Sequence, residues 1–308
     1  MINLRYHLIS VASIFFALAV GIALGAGPLQ KSLADNLVNQ ASEDPVAGDE
    51  LRAEVAASDA LDLADGYASA TARTVVGSLL AGRTVMLAPL PGANPDDVRV
   101  TGDLVAAAGG TVVSTVTVTA KMLDPADRVL ADGLARNILG QDDDSRSGTA
   151  GTYPLLGQAF ALALLTRSDN PPLQDSDANG AEATLVEAGF INVEGGTDRL
   201  AQLVLLVAGD PPVDAVEGQA EVEAELAAAF ALGSLGAVVA GTSAVDGSAV
   251  AAVRGSAASN TVSSVDIVDL SAGRVAAVLA VAEQARGGVG HYGLTGDDGA
   301  VPATGAGG

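Results

Sequence analysis

From Leu8 to Gly27 the chain reads LISVASIFFALAVGIALGAG, twenty residues without a charge. A helix rises about 1.5 Å per residue, so this run spans roughly the 30 Å hydrocarbon core of a bilayer. Leu8, Phe15, Phe16, Leu18 and Leu24 are its bulky anchoring side chains. Arg5 lies just before the run, and the region after it soon becomes strongly acidic. The positive-inside rule then puts Met1 in the cytoplasm and everything after Gly27 outside. The competing reading is a cleaved signal peptide with Arg5 as its charged region. The run is longer than the roughly 7–15 residues of a signal core, and no clean A-x-A site follows it. A retained single-pass anchor over residues 1–28 is therefore expected. Leu155 to Leu165 and Leu203 to Ala208 are too short to span as helices. No series of roughly ten-residue alternating strands, the mark of a membrane barrel, is present.

The charge balance narrows the partners. The 308 residues hold 37 acidic and 15 basic side chains, a formal charge of −22. All of the acids, and every base but Arg5, follow the apolar run, so the exterior part carries −23. Nucleic acid is excluded as a partner, because phosphate binding needs clustered Lys and Arg. The chain has no cysteine, which removes disulfides, thiolate zinc sites, iron–sulfur clusters and a cysteine nucleophile. Two histidines and three methionines leave few soft metal ligands. With 49 % apolar and 17 % charged residues the chain folds rather than staying disordered. Aromatics make up only 3 %, so Ala, Val and Leu must build the core.

Residues 29–82 read as a helical stalk. Leu29, Leu33 and Leu37 fall four apart on one helical face, and Pro45 and Gly48 interrupt the run. A second helical tract from about Asp49 to Leu80 follows, marked by Leu51, Val55, Val76 and Leu79. A strict heptad from Leu51 meets Ser58, Asp62 and Asp65 at core positions, so the pattern leaves two forms open. One is a homodimeric coiled coil; the other is a helix packed back on its own domain.

From Arg83 the pattern alternates strand and helix. Arg83 to Leu90, Thr111 to Thr119, Phe190 to Val193, Gln202 to Ala208, Ala237 to Ala240 and Val265 to Val268 read as strands. Helices are expected from Pro95 to Ala108, Pro125 to Leu139, Tyr153 to Thr166, Asp177 to Ala188, Gly218 to Leu232, Ser248 to Gly255 and Ser271 to Ala285. Asn94, Asp124 and Ser271 stand where N-caps belong. Such alternation implies right-handed crossovers and a mostly parallel open sheet covered by helices on both faces. The expected organisation is an anchor (1–28), a helical stalk (29–82), an extracytoplasmic α/β domain (83–294) and a disordered tail (295–308).

No G-x-x-x-x-G-K-[ST], H-E-x-x-H, G-x-S-x-G or strand-linked G-x-G-x-x-G occurs, so catalysis and a dinucleotide cofactor are not expected. Ligands of open α/β sheets sit beyond the carboxyl ends of the strands. Asp210 and Ser243 fall there and would make a small polar site, although tight turns account for both. Asp142, Asp143 and Asp144 lack the alternation of a calcium loop. His291 is the one weak metal-ligand candidate, and no copper chelate converges from Met1, His7, Met86, Met122 and His291.

Several blocks resemble the actinobacterial MctB family, the mycobacterial copper transport protein B group. They are Leu4-Arg-Tyr-His7 entering the apolar run, Leu80-Ala-Gly-Arg-Thr-Val85, Pro91-Gly-Ala93 and Ala107-Ala-Gly-Gly-Thr-Val112. The most specific is the C-terminal set, Val262-Ser-Ser-Val-Asp266, Gly273-Arg-Val275, Val278-Leu-Ala280, Glu283-Gln284 and Gly290-His-Tyr-Gly293. The resemblance implies a non-enzymatic envelope protein with a role in copper transport or homeostasis. A related branch, called SteB, implies instead a scaffold for envelope assembly working through a membrane partner, SteA. It assigns no role to Gly290, His291, Tyr292 and Gly293. A channel would need several helices or a closed barrel, and Leu8 to Gly27 offers a lumen only Ser10 and Ser13. An anchored exterior domain that docks on a partner suits the residues better than direct conduction of copper.

Overall fold

A computed structural model of the chain describes residues 45–140, 152–196, 198–211 and 215–303. The anchor expected at Leu8 to Gly27, the leucines Leu29 to Leu37 and Asp142 to Asp144 lie outside the described residues. Among the described residues no helix is long and apolar enough to cross a membrane. The chain divides into two compact units, Met1–Ala64 and Asp65–Gly308.

Helix α1 (Pro45–Val76) crosses that division. Pro45 and Gly48, expected as a break, stand in its first turn instead; proline has no N–H to lose there and its φ already suits a helix. From Arg52 to Ala64 the side chains are exposed apart from a half-buried Val55. At the other end Ala72, Val76 and Leu80 are buried against the second unit's core. The helix stops at Val76 rather than Leu80, because the Leu80 N–H turns to the Ala108 carbonyl (2.9 Å).

The second unit is built on one seven-stranded sheet. In chain order its elements are β1 (Thr84–Pro89), α2 (Pro95–Ala107), β2 (Thr111–Val118), α3 (Ala120–Leu123), a 3-10 turn (Pro125–Asp127), α4 (Arg128–Ile138), α5 (Thr152–Leu164), α6 (Ser176–Glu187) and β3 (Ile191–Glu194). There follow β4 (Leu203–Val207), α7 (Gln219–Gly233), β5 (Gly236–Ala240), α8 (Ala249–Arg254), a second 3-10 turn (Ala257–Asn260), β6 (Val262–Val265), α9 (Ser271–Gln284) and β7 (His291–Tyr292). The strand order is β3-β2-β1-β4-β5-β6-β7. All neighbours run parallel except β3, which lies antiparallel on the β2 edge. The sheet is thus doubly wound, with its order reversing between β1 and β4.

Strand residues alternate between two cores, as period-two geometry requires. Met86, Ala88, Val204, Leu206, Ala237 and Val239 join one layer with α4, α5, α7 and α8. Val85, Leu87, Leu203, Leu205, Val207, Val238 and Ala240 join the other with α2, α9 and the end of α1. Small side chains let the helices approach closely. Phe160 of α5 and Phe230 of α7 meet edge to face at 5.0 Å and 73°, a geometry worth about 0.5–1.5 kcal/mol beyond burial.

Several expected elements differ. The helix expected from Pro125 starts as a 3-10 turn and becomes α-helical only at Arg128, although Asp124 caps it as expected, accepting from the Ala126 N–H (2.8 Å). The last expected strand, Val265 to Val268, lies three residues early as β6: Ser263 and Ser264 interrupt the apolar run in sequence but are fully paired inside the sheet. Ser271 is the first residue of α9 rather than its cap; an Asp65 oxygen from α1 takes that place. Residues 295–303, expected as part of a disordered tail, are held down by side-chain and backbone bonds, and Pro302 is buried.

Candidate functional site

The carboxyl ends of β1, β4 and β5 lie side by side. Leu90 donates to the Val207 carbonyl (2.8 Å), Ala208 to Ala240 (2.8 Å) and Gly241 to Val265 (2.9 Å). Where the strand order reverses, Gly209 packs against the Gly92 carbonyl so closely that a Cβ there would overlap it. The two loops therefore seal the slot directly between β1 and β4. Beside this seal, roofed by the start of α7 and the Gly247–Ala249 turn, lies a cavity of about 230 Å3.

Asp210 stands at its rim and accepts from the Thr242 hydroxyl (2.6 Å). Thr242, not Ser243, is its partner, so the expected Asp210–Ser243 site is not formed as a pair. Glu223 lines the interior at only 7 % exposure. Its Oε1 accepts from the Nε2 of Gln219, one helical turn back, at 2.8 Å. Burial pushes the Glu223 carboxyl up from the usual 4.5 to about 7; the Gln219 bond opposes this and the neighbouring Glu221 charge adds to it. Ser248 at the far wall is spent on capping α8, accepting from Ala251 (3.1 Å). Sequence reasoning missed Gln219 and Glu223. Their signal was faint: Glu223 lies three and seven residues before the buried Leu226 and Phe230, in a helix whose buried residues fall on every side.

The C-terminal motif assembles at the β7 edge of the sheet. β7 pairs with β6 through Ser264↔His291 and Val265↔Tyr292. Gly290 donates to the Ser263 hydroxyl (3.2 Å) and its carbonyl accepts from the Ser264 N–H (3.1 Å). The His291 Nδ1 is 2.9 Å from the Ser264 Oγ, and its backbone N–H donates to Asp298 (2.8 Å). Arg254 donates to the Ser264 Oγ (2.8 Å), the Tyr292 carbonyl (2.7 Å) and Asp266 (3.2 Å). The buried Asp266 also accepts from the Leu294 N–H (2.6 Å) and from the Thr295 N–H and hydroxyl (3.0 and 2.6 Å). Burial alone would raise its carboxyl; the Thr295 hydroxyl, the two N–H donors and Arg254 together outweigh it and hold the group below the ordinary range. Gly293, with φ 118°, passes over this carboxylate where any Cβ would collide with it. The Tyr292 hydroxyl donates to Glu283 (2.7 Å); burial and that bond raise the phenol's pKa.

These contacts make Gly290 to Gly293 a lock that fastens the end of the chain. With Nδ1 facing Ser264, His291 has only Nε2 to offer a metal. Among the described residues no three His, Cys, Asp or Glu side chains group to hold one.

The described fold of the second unit is that of a doubly wound α/β domain closed by a lock at β7. The family model for "Copper transport outer membrane protein, MctB" matches residues 1–303. The copper transporter MctB of Mycobacterium tuberculosis is 30 % identical over 306 residues, 95 % of this chain and 96 % of the relative. That of Mycobacterium bovis matches to the same degree, and that of Mycobacterium leprae is 28 % identical over 313 residues, 96 % of each chain. The chain belongs to the MctB family.

Proposed function

We propose that the protein is a non-enzymatic component of copper transport or copper homeostasis in the cell envelope. The observation that carries this reading is the family match along residues 1–303, with relatives named as copper transporters aligned from end to end. In this reading Leu8 to Gly27 is a single-pass anchor with Met1 on the cytoplasmic side, and the α/β domain stands outside. One apolar helix per chain encloses no polar lumen. Copper is therefore cargo handled by an assembly in which this chain takes part.

A second reading is a SteB-like scaffold for envelope assembly. It is favoured by Leu61, Leu63 and Tyr67, apolar side chains left exposed along α1, which suit a second copy or a membrane protein partner. The experiment that separates the two is a pull-down of the tagged full chain from native membranes, with copper assayed on the recovered complex. Stoichiometric copper, with growth defects on deletion that deepen as copper is added, is expected. A cell-wall partner recovered without metal, and wall defects independent of copper, would overturn the copper reading in favour of the scaffold.

A further inference from the structure

The cavity beside the β1–β4 seal holds a feature that the packing of the fold does not require. A carboxyl group is costly to bury, and burial without a cationic partner is rarer still. Glu223 is nevertheless placed inside, and its second oxygen, Oε2, has no hydrogen-bond partner among the described residues. Among the described residues none of the side chains lining the cavity is Lys, Arg or His, while Asp210, Glu217 and Glu221 stand around its mouth. The positive end of α7 supplies only about half a unit charge in return. The field inside is therefore set for a cation.

We propose that this cavity is a binding site for a small organic cation, a primary ammonium or a guanidinium, anchored by the free oxygen of Glu223. A bare metal ion fits poorly, because the acids do not converge: among the described residues no three of them group to hold one. The volume of about 230 Å3 is too large for a single ion, and it falls below the roughly 300–1,000 Å3 of drug-sized pockets. A short alkyl amine is the size that remains. The position agrees with the rule that open α/β sheets bind ligands outside the carboxyl ends of their strands, near the reversal of strand order. The site is separate from the copper reading and stands or falls without it.

The test is calorimetric titration of the detergent-solubilised full chain with 1,4-diaminobutane, methylguanidinium and, as the anionic counterpart, acetate, all at physiological salt to screen the general acidic surface. Saturable binding of one or both cations is expected. It should weaken at least tenfold in Glu223→Gln and stay unchanged in Glu187→Gln, which alters an exposed acid on α6. Glutamine keeps the size of the side chain and its contact with Gln219, and a circular dichroism spectrum checks that the variant folds. In the unsubstituted protein, 1,4-diaminobutane should also slow carbodiimide labelling of Glu223, read by peptide mass. No saturable cation binding up to about 10 mM, binding that Glu223→Gln leaves intact, or preference for acetate would overturn the proposal.

Discussion

Asp65 on α1 accepts hydrogen bonds from both the backbone N–H and the hydroxyl of Ser271 (2.5 and 3.0 Å), 206 positions further along the chain. One carboxylate thereby caps α9 from another helix, satisfying a donor that α9's own sequence leaves open. Arg274 extends the join, donating to the Ser271 hydroxyl (3.1 Å) and to Asp97 of α2 (2.8 Å). Asp65→Ala should lower unfolding stability by about 1–2 kcal/mol, the cost of a lost N-cap. A shifted urea midpoint at constant slope reads this; an unmoved midpoint would mean that solvent replaces the cap at no cost.

Asp266 ties Arg254 to the Leu294–Thr295 turn, and its loss leaves Arg254 partly buried without its carboxylate. Asp266→Ala should cost about 3–5 kcal/mol, the range for breaking a buried pair from one side. It should also open residues 291–303 to protease. The folded carboxyl titrates below its unfolded value, so its stabilisation is full above about pH 4 and disappears as pH falls through the folded pKa. Proteolysis of the C-terminal segment in the unsubstituted protein should accelerate only in that acidic range.

Glu223 has the opposite sign. Its folded carboxyl titrates near 7 against an ordinary 4.5, so the folded state holds the proton more tightly than the unfolded chain. Stability from this group is full below about pH 4.5 and falls as pH rises through 7. Glu223→Gln removes that loss. The variant should match the parent near pH 4.5 and exceed it at pH 8 by on the order of 2–3 kcal/mol. Parallel melting curves at both pH values would exclude a buried, shifted carboxyl.

Gly209→Ala places a methyl group on the Gly92 carbonyl. The β1 and β4 loops must part, at a cost of about 1–3 kcal/mol typical of overpacking. Differential scanning calorimetry should show a lower Tm. Gly209 itself is not at positive φ, so its cost is the clash alone; Gly140→Ala, at φ 60° with nothing within 4 Å among the described residues, shows by contrast what backbone strain costs without a clash.

Local signals account for what was legible. Leu203 to Val207 is five buried apolar residues in a row, and Asn94 caps α2 by accepting from Asp96 (2.9 Å). Features whose partners lie far off in sequence were not readable. Ser263 and Ser264 look like a break in a strand until Gln284, Arg254 and His291 supply their bonds. β7 is two residues long and has no periodicity to detect; only its resemblance to family members marked the stretch. The antiparallel direction of β3 was not readable, because nothing within Ile191–Glu194 encodes its direction along β2. Glu223 was hidden in an alanine-rich helix whose hydrophobic character is nearly the same on every side.

The lock at β7 also sets an order of events. A chain made N-terminus first exposes β6 as a bare strand edge, and Asp266 lacks three of its donors, until residues 290–295 arrive. Bare edges recruit strands from other chains. A copy that lacks residues 290–295 is thus adhesive and a copy that holds them is not, so this short stretch acts as the β6 edge's own guard.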